Sequence, residues 1–284
     1  MSGLTNRALL VSLQVSQWSA RRMDKEETEE LAQRHGTSKE NASVTKRLLA
    51  SPALKAVHDK TNAVRWAYYR NSLPWGMEGV NVISTMGYLD FCKMMGEHMT
   101  DWRRLVQLFL AEYPYVRDNA QNILGTMWKE ADYPTPEVVA RKFSIDCKFT
   151  PIAETGDWRV EMADDELDRL RKKTEADIAE NIGIATTAAW EKVREVVEDS
   201  IKALSKPSPT FREGLIENAR KMCRTMTLLN ITADPALESI RSAIEGSLCK
   251  QTFDELRADP TVRGAVNDRL KDIQAKMASY YQPA

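Results

Sequence analysis

The sequence predicts an α+β chain, mainly α: a small antiparallel sheet of three to five short strands carrying long amphipathic helices, one of about 40 residues near 164–204. Three observations predict it. Apolar residues alternate at Leu9, Val11, Leu13 and Val15, and again at Phe143, Ile145, Cys147 and Phe149, the period of a strand with one buried face. Between Leu167 and Leu204 the apolar positions step by three or four instead, through Leu170, Thr174, Ile178, Ile182, Ala185, Ala189, Val193, Val197 and Ile201, which is a helical stripe. Beyond that stripe the pattern is almost purely helical.

Taken in order, an N-terminal strand runs to about Trp18, and a polar helix from Ala20 to about Arg34 ends at His35-Gly36. Residues 42–70 read as a helix with a break at Ser51-Pro52, and Val44, Leu48, Leu49, Leu54, Val57, Val64 and Tyr68 face inward. Leu73-Pro74-Trp75-Gly76 breaks it, and Val80, Val82 and Ser84 suggest a short strand after the Gly76–Gly79 turn. Gly87 to Tyr113 is the most apolar helix, with Leu89, Phe91, Met94, Met95, Met99, Trp102, Leu105, Val106, Phe109 and Leu110 inward. Pro114 is expected to end or kink it, and Val116–Glu130 to form another. Pro136 opens a short helix. The strand at 143–149 stops at Pro151; Thr155-Gly156-Asp157 is turn chemistry, and Trp158, Val160 and Met162 make a plausible second hairpin strand. Asp164, Asp165 and Glu166 suit the positive end of the long helix, and Pro207 and Pro209 end it. Helices at 211–230, 235–248, 253–256 and 262–281 complete the chain. Residues 1–162 thus read as a mixed region with the sheet and 163–284 as a helical region, on one continuous core.

A chain of 284 residues, 43% of them hydrophobic, has enough apolar surface for a real core. Its net charge of −1 supplies neither a global basic field for nucleic acid nor an acidic tail. Cys92, Cys147, Cys223 and Cys249 are scattered with no CxxC pair, so a zinc knuckle or redox motif is not expected. Without a signal-like N-terminus or a membrane-length apolar run, the expectation is a cytoplasmic protein with four reduced thiols.

No phosphate-binding loop, dinucleotide fingerprint or nucleophile elbow occurs, so no enzyme activity and no cofactor are expected. His98 lies near Glu97 and Asp101 but lacks HExxH spacing, and a surface histidine is its plainer reading; His35 reads as a helix end and His58 as a helix surface. Asp132, Asp146, Asp157, Asp164 and Asp165 could in principle hold Mg²⁺, though turn and capping roles explain them more simply. Arg65, Trp66, Tyr69 and Arg70, with Arg103 and Arg104, interleave cations and aromatics as single-strand nucleic-acid contacts do; the plainer reading buries Trp66 and Tyr69 and lets the arginines snorkel. Leu170, Ile178, Ile182, Trp190, Val193 and Val197 mark the long helix as a candidate coiled-coil-like interaction helix, through which self-association is expected.

Several patches carry a resemblance: Leu73-Pro74-Trp75, the run from Leu108 to Pro114, Leu124-Gly125, Ala131-Asp132-Tyr133-Pro134, Phe143-Ser144, Gly156-Asp157-Trp158-Arg159-Val160, Phe211-Arg212 and Leu229-Asn230. Over roughly Leu9 to Ser242 the chain resembles a family of unknown function from phages and prophage-bearing bacteria, whose genes often lie beside a MoxR-type AAA+ ATPase and a von Willebrand A-like protein. Trp158 stands where that family tends to have Phe. The family has no assigned catalytic residues. The resemblance implies a phage accessory protein in the host cytoplasm, working by protein contacts as an adaptor for the ATPase and the von Willebrand A-like protein. The alternative is a nucleic-acid-binding factor in phage replication, recombination or transcription.

Overall fold

A computed structural model describes residues 4, 6–153, 164–206 and 214–280. Among the described residues, six strands and nine α-helices follow one another as β1 (Ala8–Ser16), β2 (Arg21–Asp24), α1 (Lys25–His35), β3 (Val44–Arg47), α2 (Pro52–Arg70), β4 (Leu73–Pro74), β5 (Val80–Ser84), α3 (Tyr88–Leu124), α4 (Pro136–Ala140), β6 (Ser144–Pro151), α5 (Asp164–Leu204), α6 (Gly214–Leu229), α7 (Pro235–Ser247), α8 (Phe253–Ala258) and α9 (Pro260–Tyr280). The α+β, mainly α class holds: a four-stranded antiparallel sheet ordered β4-β5-β1-β6, and a two-stranded sheet of β2 and β3. No helix among the described residues is long and apolar enough to cross a membrane.

The described chain divides into two compact units. The first comprises residues 1–12, 68–92 and 148–284. In it β1 pairs antiparallel with β5, Ala8 opposite Ser84 and Ser12 opposite Val80, and β4 adds Leu73 opposite Val82. Its core joins Leu73, Trp75 and Val82 to the inward faces of α5, α6, α7 and α9, including Val193, Val197, Met226, Ile240, Ile244 and Leu270. Gly76 turns the chain after β4 with φ +60°, a region where a Cβ is strained. A side chain there would also collide with the Asn181 carboxamide on α5.

The second unit comprises residues 13–67 and 93–147. Its core is aromatic: Trp18 packs edge-on against Tyr113 and beside Phe109, and Phe109 and Trp102 both meet Phe143. The buried Trp102 indole donates to Thr61 Oγ1 at 2.7 Å, and Thr61 donates in turn to Gln17. These buried polar ends thus find partners, as a low-dielectric interior demands.

Several expectations need correction. Residues 21–24 are strand rather than the start of a helix, because Asp24 caps α1 from outside it, accepting from Glu27 N at 3.3 Å. Val44–Arg47 is strand β3, not helix: β-branched Val44 and Thr45 pair with Asp24 and Met23. Pro114 does not end α3, which runs on to Leu124. Its missing N–H removes one helical bond, but buried Phe109 and Tyr113 before it and Ala120 after it hold both sides in the core. Leu89 is exposed rather than inward. The second hairpin strand, at 158–162, lies outside the described residues; the described neighbour of β6 is β1.

Candidate functional site

The densest polar arrangement lies in the second unit, where β2 and β3 meet the segment before α4. Antiparallel register sets Arg22 directly opposite Lys46, two like charges that would repel across the ladder. Asp132 resolves the conflict. Its Oδ1 takes the Arg22 guanidinium at 3.0 Å and its Oδ2 takes Lys46 Nζ at 2.7 Å. Lys46 also donates to Asp24 Oδ2 and to Met127 O, each at 2.9 Å. Lys46, Asp24 and Asp132 are all buried, and the two carboxylates balance the two cations.

Burial alone would drive Lys46 toward the neutral amine, but its hydrogen bonds to Asp132 and Asp24 outweigh it and hold the ammonium above its usual range. The Lys46 hydrogen bond holds Asp24 below the ordinary carboxylate range against its own burial. A lysine so charged has no lone pair to offer as base or nucleophile. The cluster is therefore a staple. Tyr133 reinforces it by donating to Leu48 O at 2.9 Å and stacking on Trp128, and Tyr113 donates to Pro134 O at 2.7 Å.

In the first unit, Lys192 of α5 reaches the C-terminal end of α2. Its Nζ donates to the carbonyls of Tyr69, Arg70 and Ser72 at 2.8, 2.9 and 2.8 Å. Those carbonyls are among the groups a helix end leaves without a partner, and they carry the negative end of its dipole. Burial, then the nearby Arg70, push Lys192 down to about 8, with Glu195 opposing. Also in this unit, the sulfurs of Cys223 on α6 and Cys249 in the 3-10 turn Leu248–Lys250 stand 4.0 Å apart.

The residues singled out in the sequence fall as follows. On α2, Arg65 is exposed, and Trp66 and Tyr69 are 56% and 57% exposed rather than buried. Arg70 is half-buried. Arg103 donates to Ile145 O at 3.3 Å, and Arg104 lies 4.0 Å from Asp101. On α5 the proposed interaction residues divide: Trp190, Val193 and Val197 are buried inside the first unit, and Ile178 and Ile182 pack half-buried against the same core. This part of α5 packs its apolar stripe on α6 and α9 of its own chain. Leu170 is half-buried.

His98 is half-buried near Asp101, which pairs with Lys60 at 3.0 Å; His58 Nε2 lies 2.9 Å from Trp18 O. Asp132 serves the staple, Asp146 accepts from the adjacent Cys147 N–H, and Asp164 and Asp165 lie in the first turn of α5. Asp157 lies outside the described residues. Among the described residues no group of three or more His, Cys, Asp or Glu side chains is disposed to hold a metal ion.

Sequence reasoning missed the staple, the Lys192 cap and the thiol pair. Each joins residues far apart in the chain, and none has a local spacing that would mark it. The outer face of α3 was missed too. Leu108 and Tyr115 stand 53% and 70% exposed on the side opposite buried Trp102, Val106, Phe109 and Tyr113. Set against protein-family models, curated proteins and solved structures, the chain matches none.

Proposed function

We propose that this chain is a non-enzymatic protein that works by protein–protein contact. Following the resemblance, the context is a phage or prophage, and the partner is a MoxR-type AAA+ ATPase acting with a von Willebrand A-like protein. The observation that carries the reading is the outer face of α3. Leu108 and Tyr115 lie two helical turns apart, so two large apolar side chains share one solvent-facing side of one helix. Singly, exposed apolar residues mean little; aligned on a rigid helix they suit the groove-and-helix mode of recognition.

The test is co-elution of the purified chain with the ATPase, with Leu108→Asp/Tyr115→Asp as the variant. The wild type is expected to co-elute and the double variant to run alone, with unchanged circular dichroism. A wild-type chain that stays monomeric and ignores the ATPase overturns the reading. Self-association lost in the variant would reassign the face to a second copy.

A second reading, single-stranded nucleic acid bound along α2, is favoured by one observation: Trp66 and Tyr69 face solvent, with exposed Arg65 beside them. A gel shift at low salt tests it, because electrostatic attachment is strongest there. Binding that Arg65→Glu/Trp66→Ala abolishes supports it, and no shift at low salt removes it.

A further inference from the structure

We propose that Cys223 and Cys249 form a reversible redox site, a dithiol that peroxide closes to an intramolecular disulfide. Their sulfurs are already in contact at 4.0 Å, and bonding requires them to close by roughly 2 Å. The backbone that carries them is held in place for this. The Arg220 guanidinium, one turn before Cys223 on α6, donates to Cys249 O at 3.1 and 3.0 Å and to Gln251 O at 3.0 Å, fastening the turn at 248–250 to the helix. The fold thus keeps the two sulfurs side by side.

The two thiols are unequal in a way that assigns their roles. Cys223 is buried, and its S–H donates toward Arg241 O at 3.7 Å while its sulfur lies 4.0 Å from that of Cys249. Its contact with Cys249, then burial, push it far up, so it stays a thiol. Cys249 is half-buried, and contact with Cys223, with Arg220 and Arg224 adding, favours its thiolate against burial and Glu245. Cys249 is thus the attacking sulfur and Cys223 the resolving one. The Cys249 thiolate attacks a peroxide oxygen: an S–O bond forms, the O–O bond breaks, and the departing hydroxide becomes water on taking a proton. Cys223 then attacks the Cys249 sulfenic sulfur: the S–S bond forms, the S–O bond breaks, and the second hydroxide leaves as water with the Cys223 proton. Two thiols are oxidised, one peroxide is reduced, and two waters form.

The experiment treats the folded, reduced chain with one equivalent of hydrogen peroxide, blocks remaining thiols with N-ethylmaleimide, and maps peptides by mass. The expected result is a 223–249 cross-link that leaves two of the four thiols to be alkylated and that dithiothreitol reverses. In Cys223→Ser, dimedone should label Cys249 as the trapped sulfenic acid; in Cys249→Ser, Cys223 should stay unlabelled. Four unreacted thiols, or a cross-link through Cys92 or Cys147, overturns the proposal. So does equal or faster closure in urea, which would show that chain flexibility and not the fold pairs the sulfurs. The wild-type map and its urea control decide the matter even where a serine variant fails to fold.

Discussion

Asp132 holds Lys46 at 2.7 Å with one carboxylate oxygen and Arg22 at 3.0 Å with the other, so a single buried acid keeps two facing cations on adjacent strands. Asp132→Ala should therefore cost more than a surface ion pair. It leaves Lys46 buried with one carboxylate fewer and facing Arg22 directly. The expected loss is about 3 kcal/mol, read as a lower urea midpoint from tryptophan fluorescence. A loss within the range of an exposed pair, below about 1 kcal/mol, would show that water reaches the cluster.

The same cluster sets a pH window. Asp24 is held below its unfolded value, so its contribution is present above the ordinary carboxylate range and is lost as pH falls through the lowered folded value. Lys46 is held above its unfolded value, so its contribution is complete below about 10.5 and is lost as pH rises through the raised folded value. Amide protection factors in β2 and β3, which remove the intrinsic pH dependence of exchange, should fall at both extremes and stay flat between them. Lys46→Met should weaken both dependences, and an unchanged profile in that variant would assign them elsewhere.

Lys192 has the opposite sign from Lys46. Its folded value, about 8, lies below its unfolded one, so between roughly 8 and 10.5 the unfolded chain binds the extra proton. Stability of the first unit should rise across that interval, because the neutral amine still donates two hydrogen bonds and no longer carries a buried charge. Lys192→Met should abolish this rise. At neutral pH it should cost about 1–2 kcal/mol, since three carbonyls lose a donor while solvent recovers part of the loss. Thermal melts of both proteins at pH 7.5 and 9.5 check the sign.

Gly76→Ala should destabilise by about 1–3 kcal/mol. The substitution meets the positive φ, then the Asn181 carboxamide, and more lightly Ile184 Cδ1 at 3.1 Å. Adding Asn181→Ala removes only the second, so partial recovery in the double variant is expected in chemical denaturation. Full recovery would mean the backbone there is not strained.

How much of this was legible depended on the range of the signal. The stripe on α5 gave its bounds, Asp164–Leu204, because helical periodicity is written along the chain itself. The alternation in β1 and β6 gave those strands for the same reason. Strands β2 and β3 were not legible. They are four residues each, mostly exposed, and exist through their pairing and through Asp132, a residue far away in sequence. Pro114 misled because a local rule was overruled by packing on both sides of it. The candidate sites fared worst for a related reason. Lys192, Cys223 and Cys249 acquire their chemistry from backbone and sulfur atoms that only the fold supplies, and no spacing in the sequence encodes that.

The division into two units has a genetic corollary. The chain passes from one to the other at residues 12–13, 67–68, 92–93 and 147–148, and these points fall within β1, α2, α3 and β6 rather than in loops. No single cut of the coding sequence yields either piece whole, and any crossover that exchanged one piece would have to splice through the middle of a strand or helix. Exchange of either piece would thus take several crossovers, each inside a strand or helix.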